Sequence, residues 1–457
     1  MKRALLALLT SCLVSQSMAS ETDQPNIIFI FADDWGWGDL SCHDHPYVKT
    51  PNIDRLANEG ADFTRFTVAS PVCSPSRTAV MTGHYPSRYA VDGHFAWVPD
   101  NAKRGMPDWV DTEAPSLPRM LREAGYATAH FGKWHLSNNM IPDSPSLLEY
   151  GYDEYGAFNC SGEQMPYDHD VDRSIAFIDR VKEQPFFINL WIHEPHTPFH
   201  VIPKYRQMFP HIENEADNIY AATLAYADER IGKLLDYLDN TGLAENTLVV
   251  FSSDNGPARA PGKKDPKLIY DSATGAGFDT GAAKGITAGR KGWKASLHEG
   301  GLNVPFLVRW PAKIKAGAVD SETFISAVDL LPTFVSIAGG SLPKGYTPDG
   351  IDYTSALLGT PAPERTTPLF SRYSPWGGLY TQHWASYVVV DGGYKYLTTP
   401  DYSRQELYHL TNDPLEEHNV LAEQESRVND LKKKLEAWLK TLPDGPSGKV
   451  FSSLRDQ

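Results

Sequence analysis

Cysteine is scarce, with four residues in a chain of 457. A chain of this length buries a large core without disulfide staples. Beyond the first residues, no stretch approaches the ~18 consecutive apolar residues of a bilayer-spanning helix. No internal repeat is visible. Positive charge is also in short supply, with 42 basic against 57 acidic side chains and a formal net charge of −15. That argues against sequence-independent DNA binding, which needs a dense basic surface to displace counterions. Apolar residues make up 41% of the chain, which argues against disorder. At about 150 residues per domain, the length predicts two to three domains.

The first residues read as an export signal. Lys2 and Arg3 precede an apolar run over residues 4–9, and Ser17-Met18-Ala19 offers the small residues a signal peptidase needs. Cleavage after Ala19 gives a signal over 1–19 and an exported protein, periplasmic or secreted, with no integral membrane segment left. The alternative is a lipobox at Leu9-Thr10-Ser11-Cys12, with lipid anchoring at Cys12. Loss of the leader leaves Cys42, Cys73 and Cys160. An odd number in an exported protein flags a reactive or modified thiol. If Cys73 is that thiol, Cys42 and Cys160 remain for a disulfide, a pairing the sequence leaves open.

Four short apolar runs end abruptly in polar residues. Residues 26–31 run into Asp33 and Asp34, 126–131 into Lys133 and His135, 185–191 into His193 and His196, and 247–251 into Asp254 and Asn255. Runs of this kind suit strands buried on both faces, as in parallel sheets. In open α/β sheets, ligands gather beyond the carboxyl ends of the strands. Helices are expected over 52–60, over 116–125 with Ser116 as cap, over 216–238 and over 327–338. A Pro/Gly-rich stretch to about residue 368 marks a boundary. Short alternating runs at 387–390 and 394–397 and a charged helix over 422–442 follow it. The expected organisation is a catalytic domain over 20–365 and a smaller α+β domain over 366–457. Residues 257–292 read as a long loop, a kind of segment that is often functional.

The chemistry-bearing motifs are Cys73-Ser74-Pro75-Ser76-Arg77 with Thr82-Gly83 downstream, Gly132-Lys133-Trp134-His135, His193-Glu194-Pro195-His196-Thr197-Pro198, Ser253-Asp254-Asn255-Gly256 and Lys294 with Glu299-Gly300-Gly301. Taken alone, a cysteine is more often a small buried hydrophobe, and an aspartate after a strand is more often a cap or turn residue. Together the motifs resemble the type I, formylglycine-dependent sulfatases of the alkaline phosphatase superfamily, over residues 25 to about 420. The resemblance extends to secreted bacterial polysaccharide sulfatases. It implies an α/β fold: a large mixed, mostly parallel sheet flanked by helices, and a smaller C-terminal unit with an antiparallel sheet.

The resemblance also assigns roles. Cys73 matches the residue oxidised after synthesis to formylglycine (3-oxoalanine), work that requires a formylglycine-generating or anaerobic maturation enzyme as partner. Asp33, Asp34, Asp254 and Asn255, with residue 73, match the ligands of one metal ion. Hard oxygen donors suit Ca²⁺, and Asn255 stands where related phosphatases carry a histidine suited to Zn²⁺. Arg77, Lys133, His135, His196 and Lys294 match the remaining catalytic set, with Lys291 as the competitor of Lys294. In the implied reaction, one hydroxyl of the hydrated aldehyde attacks sulfur and the alcohol leaves with a proton from His196. His135 then removes the proton of the other hydroxyl, so the aldehyde re-forms and sulfate departs. Asp254 assists deprotonation and Arg77 holds residue 73 in place. His193 lacks a match and is either a supporting or a structural residue. One departure is Asn303 in Gly300-Gly301-Leu302-Asn303-Val304-Pro305, where the family carries arginine. It puts the surrounding salt bridges in doubt.

The substrate expected is a sulfated oligosaccharide or polysaccharide, with an algal galactan such as carrageenan ranked first and glycosaminoglycan or ulvan next. Candidate pocket residues are His94, Trp97, His193, His200, Arg372, Tyr373, Trp376, Gln382 and His383, because aromatic rings stack on sugar faces and cations pair with anionic groups. Two other functions compete: a phosphonate or phosphate monoester hydrolase with the same nucleophile, and a glycan-binding protein on a decayed fold. No nucleic acid is expected as a partner.

Overall fold

The four apolar runs are strands, and three of them sit at the centre of one sheet. In the computed structural model, β1 (Asn26–Ala32) lies next to β5 (Phe186–Trp191) and β6 (Thr247–Ser253), parallel to both. Every residue of the three strands is buried. Alternation explains why none of them needs a polar face. Ile27, Phe29 and Phe31 point into one core, and Ile28, Ile30 and Ala32 into another on the opposite face.

The full sheet has eight strands. The others are β2 (Ala61–Phe63), β3 (Ala127–Lys133), β4 (Glu154–Phe158), β7 (Phe306–Arg309) and β8 (Ala318–Asp320), in the order β8-β2-β7-β6-β1-β5-β3-β4. Only β7 pairs antiparallel with its neighbours, so the sheet is mixed and mostly parallel as expected. The structure describes residues 24–138, 141–158, 169–197, 199, 203–259, 264–269, 276–278, 285–374 and 383–456. The leader with Cys12, and the calls on Cys160, Pro198, His200, Trp376 and Gln382, lie outside them. Among the described residues no helix is long and apolar enough to cross a membrane.

Helices cover both faces. α1 (Pro51–Asn58), α4 (Asp170–Val181) and α5 (Glu215–Asn240) fill the core behind Ile28 and Ile30. α3 (Leu117–Glu123) and α6 (Leu330–Ile337) fill the core behind Phe29 and Phe31. α2 (Cys73–Thr82) places Val80 and Met81 in that second layer. Ser116 stands at the cap position of α3, but its hydroxyl donates to the Tyr150 carbonyl instead of capping the helix. A tertiary carbonyl has taken the hydroxyl that local sequence offered to the helix. The stretch read as a loop contains two strands, Lys264–Ile269 and Ala276–Phe278, paired antiparallel.

The C-terminal region forms a second sheet, an antiparallel meander of β9 (Leu369–Arg372), β10 (Tyr387–Asp391), β11 (Tyr394–Thr398) and β12 (Gln405–His409). Gly392 and Gly393 connect β10 to β11, both at positive φ (53° and 78°), the geometry that tight hairpins demand and glycine supplies. One face puts Val389, Tyr396 and Leu407 against Leu431, Leu435 and Trp438 of α7 (Glu425–Leu439). The other puts Val388, Leu397 and Tyr408 into the core behind Phe29.

Candidate active site

Strands β6, β1, β5 and β3 are adjacent and parallel, and they end side by side. Asp33 and Asp34 follow β1, Asp254 and Asn255 follow β6, and Lys133 closes β3. His193 and His196 follow β5. The chain leaves β1 through Asp34 at φ 69°, a conformation that a non-glycine residue adopts only when its surroundings hold it. The Asp34 N–H donates to Asp254 Oδ1 at 3.2 Å, and the next N–H, of Trp35, donates to Ser253 Oγ at 2.9 Å. His135 also has positive φ, 54°, and its Nε2 lies 3.0 Å from the Phe95 carbonyl.

Cys73 opens α2. Pro75 is harmless in the first turn, where the missing N–H has no helical partner. Thr78 and Thr82 turn their hydroxyls back onto the Ser74 and Thr78 carbonyls, each at 2.8 Å, so this polar helix can be buried along its whole length. Its dipole directs partial positive charge at residue 73.

Three carboxylates and three cations surround this helix start. Lys133 Nζ donates to Asp33 Oδ2 and lies 3.4 Å from Cys73 Sγ. Lys294 Nζ donates to both oxygens of Asp34, at 2.6 and 2.8 Å. Arg77 donates through Nε and Nη2 to Asp254 Oδ2, at 2.9 and 2.6 Å, and its guanidinium lies 5.0 Å from the Trp191 ring centroid. Burial would raise Asp33, but His196, Lys133, Arg77 and Lys294 outweigh it and hold this carboxyl well below the usual range. Burial wins at Asp34, which is raised despite Lys294, and at Asp254, raised to about 6 against Arg77. Burial likewise pushes the Cys73 thiol up, although Lys133 and Lys294 oppose it. Unmodified, it is a thiol and a poor nucleophile. Burial, with nearby cations, pushes His135 and His196 well down, although Asp33 opposes the shift at His196. His196 Nδ1 lies 2.5 Å from the Thr197 carbonyl, which places the proton on Nδ1.

The same cluster offers a cation site. Donor atoms of Asp33, Asp34, Cys73 and His196 all lie within 4.8 Å of one another. Asn255 Nδ2 donates to Asp34 Oδ1 at 2.7 Å, while its Oδ1 is buried with no hydrogen-bond partner. A buried amide oxygen left unpaired beside carboxylates fits a hard cation.

Comparison with known proteins decides the family. Residues 25–340 match the family model described as Sulfatase, and residues 289–444 match the one described as N-sulphoglucosamine sulphohydrolase, C-terminal. The N-acetylgalactosamine-6-sulfatase of Canis lupus familiaris is 32% identical, covering 77% of this chain and 69% of that protein. The chain belongs to the sulfatase family. It is a sulfuric ester hydrolase. The N-acetylgalactosamine-6-O-sulfatase of Bacteroides thetaiotaomicron is 27% identical over 94% of this sulfatase and 97% of its own length. The solved structure of Ps i-CgsB, in complex with k-i-k-neocarrahexaose, superposes with a TM-score of 0.77 at 27% identity, covering 93% of this chain and 95% of that one. The sheet order and the helices on both faces are thus those of an alkaline-phosphatase-like sulfatase.

Of the two lysines that sequence offered, the sulfatase brings Lys294 to the carboxylates. Lys291 instead reaches Glu406 at 3.1 Å and the Tyr408 hydroxyl at 2.5 Å, on the C-terminal sheet. His193 Nδ1 lies 3.8 Å from Asp33 Oδ2, and its ring is 5.3 Å from that of His196. His94 neighbours His135, with ring centroids 6.3 Å apart. Burial, with Arg104 and both site lysines, pushes His94 down to about 3. Arg372 is paired with Asp92 at 3.1 Å and His383 packs on Trp293 at 5.0 Å, so both already have protein partners. Trp97 is exposed, and Tyr373 is buried with the core behind Phe29.

Two supports were missed. Trp35 Nε1 donates to the Glu194 carbonyl at 2.6 Å, tying the His193–His196 loop to the end of β1. Ser74 Oγ accepts the Phe95 N–H at 2.9 Å, fixing the loop whose carbonyl meets His135. Neither had a sequence signal, since Trp35 reads as core and Ser74 as part of a motif.

Proposed function

We propose that this sulfatase removes sulfate from a sulfated carbohydrate, using a formylglycine made from Cys73 and one bound calcium ion. The observation that carries this reading is the interleaving of Asp33, Asp34 and Asp254 with Lys133, Lys294 and Arg77 around the first residue of α2. The formal charges of these six groups balance, so a divalent cation leaves the site positive and complementary to a sulfate monoester. Asp33, Asp34, Asp254 and Asn255 would hold that ion, with residue 73 beside it. Bound there, calcium supplies a Lewis acid for a sulfuryl oxygen. A hydrated formylglycine would supply one hydroxyl as nucleophile and a second whose deprotonation expels sulfate, a route that serine lacks.

The chain's own residues do the rest. Lys133 and Lys294 neutralise sulfuryl oxygens as charge shifts in the transition state. Arg77 fixes Asp254, which accepts a proton near residue 73. His196 delivers a proton to the leaving oxygen. Burial pushes His196 down in the free protein, and an anionic ester beside it supplies negative charge that favours its protonated form. His135 takes up the second proton at the residue-73 side chain.

For substrate, a carrageenan-type galactan is favoured by the likeness to the structure holding k-i-k-neocarrahexaose. A second reading, 6-sulfated N-acetylgalactosamine, is favoured by the names of the Bacteroides and canine relatives. Export to the periplasm or beyond, by a leader cut after Ala19, suits either. Sulfate release from defined carrageenan, chondroitin and ulvan oligosaccharides and from the intact polymers, with Cys73→Ser as control, tests both. Release from one class by the parent and none by the variant is the expected result. Equal release by Cys73→Ser would sink the account of the nucleophile.

A further inference from the structure

A cavity of about 450 Å³ lies away from Cys73, lined in part by Trp37, Thr64, Arg65, Arg290, Asn303 and Thr411. None of the six charged groups of the active site lines it. Its principal group is Arg290. This guanidinium lies 3.8 Å from the Trp37 ring centroid, and its Nε donates to Asn303 Oδ1 at 2.5 Å. Asn303 is the residue that replaces an expected arginine. It is anchored by Nδ2 to the Thr64 and Phe66 carbonyls, at 3.2 and 2.9 Å. Among the described residues no carboxylate lies within ion-pair distance of Arg290 or of Arg65.

Arg65 reaches the Glu322 carbonyl at 3.5 Å and the Phe324 ring, with the Asp320 carboxylate in electrostatic range but outside ion-pair distance. Of the two acids in the wall, Glu299 is engaged by Lys395 at 2.7 Å, and Glu322 is exposed. The indole N–H of Trp37 is buried with no hydrogen-bond partner. Burial pushes Arg290 down to about 10, although Glu299 and Asp62 oppose the shift from beyond ion-pair distance. Two guanidinium groups without an ion-pair partner among the described residues, an orphaned N–H and the hydroxyls of Thr64 and Thr411 make a donor-rich wall. A tetrahedral oxyanion accepts from all of these, and arginine matches its oxygens in a bidentate fork.

We propose that this cavity is a second oxyanion site, taking a sulfate group distinct from the one cleaved at Cys73. The group comes either from a further sulfate ester on the same glycan or from released inorganic sulfate. The site goes beyond the reaction at Cys73 and stands whichever ester is hydrolysed there.

The test uses calcium-loaded Cys73→Ser protein, in which no turnover is expected to consume the ligand. Calorimetry with sodium sulfate and with a multiply sulfated carrageenan oligosaccharide should show two classes of sulfate site. Adding Arg290→Gln should remove or weaken one class at least about tenfold, the loss expected for a charge-assisted contact. In the Cys73 enzyme, Arg290→Gln should leave hydrolysis of a small aryl sulfate unchanged. An effect on inorganic sulfate alone identifies a product site, and an added loss of oligosaccharide affinity identifies a glycan subsite. Unchanged binding of both ligands, or a parallel fall in aryl sulfate turnover, would overturn the proposal and leave Arg290 as a strut for the Lys294 loop. If Arg290→Gln does not fold, Arg65→Gln carries the same comparison. Absence of turnover on every ester, with the Arg290-dependent sulfate site intact, counts against the catalytic reading alone.

Discussion

Two lysines three positions apart have been sorted by what each reaches. Lys294 chelates Asp34 in the buried cluster, whereas Lys291 is held by Glu406 and Tyr408 and is half-exposed. Lys294→Ala should therefore lower kcat/KM by about 10² to 10³, the cost of losing one preorganised charge stabiliser. Lys291→Ala should stay within about threefold, a difference too small to count as transition-state stabilisation. Steady-state kinetics on one sulfate ester decides, and equal losses would reverse the assignment. A second residue-level expectation concerns acid. His45 Nδ1 accepts the N–H groups of Tyr47 and Val48, at 3.3 and 3.0 Å, so a second proton would face two donors. Burial, with Lys49 nearby, pushes this ring down to about 4. Its folded value lies below the unfolded one, so the stability it contributes is present above about pH 6.5 and is lost as pH falls towards 4. Relative to His45→Asn, the protein should lose at most about 3 kcal/mol over that window. Denaturant titrations at several pH values measure it, and parallel curves would refute it.

At the scale of elements, α1 is held by a residue from another helix. Asp228 of α5 accepts the N–H groups of Asn52 and Ile53, at 3.0 and 2.8 Å, and so does the work of a cap from outside the segment. Asp228→Ala should cost about 1–2 kcal/mol, as lost caps do, with protection of the first turn of α1 falling in hydrogen exchange. Unchanged protection would show that α1 is held by packing alone. This cap also marks where the sequence stops being legible. The central strands were readable because each is an uninterrupted apolar run broken by a charged residue, a signal contained in ten positions. The motif lysines and aspartates were readable for the same reason. Asp228 was not, because its partners lie about 175 positions away. Strands β9 and β12 were missed too. They are short, carry Arg372 and Glu406, and owe their formation to β10 and β11 beside them. The glycines at Gly256 and Gly300 tell the same story. A Cβ on Gly256 would lie 1.9 Å from the Gly300 carbonyl oxygen, a crossing of two loops that neither loop's sequence announces.

For the molecule as a whole, six charged groups are gathered at the ends of the central strands, and stability should respond to what binds there. With calcium at about 100 times its dissociation constant, unfolding free energy should rise by about 2.7 kcal/mol, and chelation should lower both the melting temperature and turnover. Calorimetric melts with and without chelator, restored by calcium, provide the readout. A melting temperature indifferent to calcium would separate this chain from a calcium-dependent reading even if turnover persisted.

The enclosure of α2 sets an order of events. Its ten residues are all buried, Cys73 included, between the main sheet and the C-terminal sheet. Strands from residue 26 to beyond residue 400 must be in place before that enclosure is complete. Once it is, no second protein can reach the thiol without undoing the packing around it. The proposed oxidation of Cys73 therefore belongs to the chain's youth, while it is still extended, and a molecule that folds first has missed its only chance to be activated.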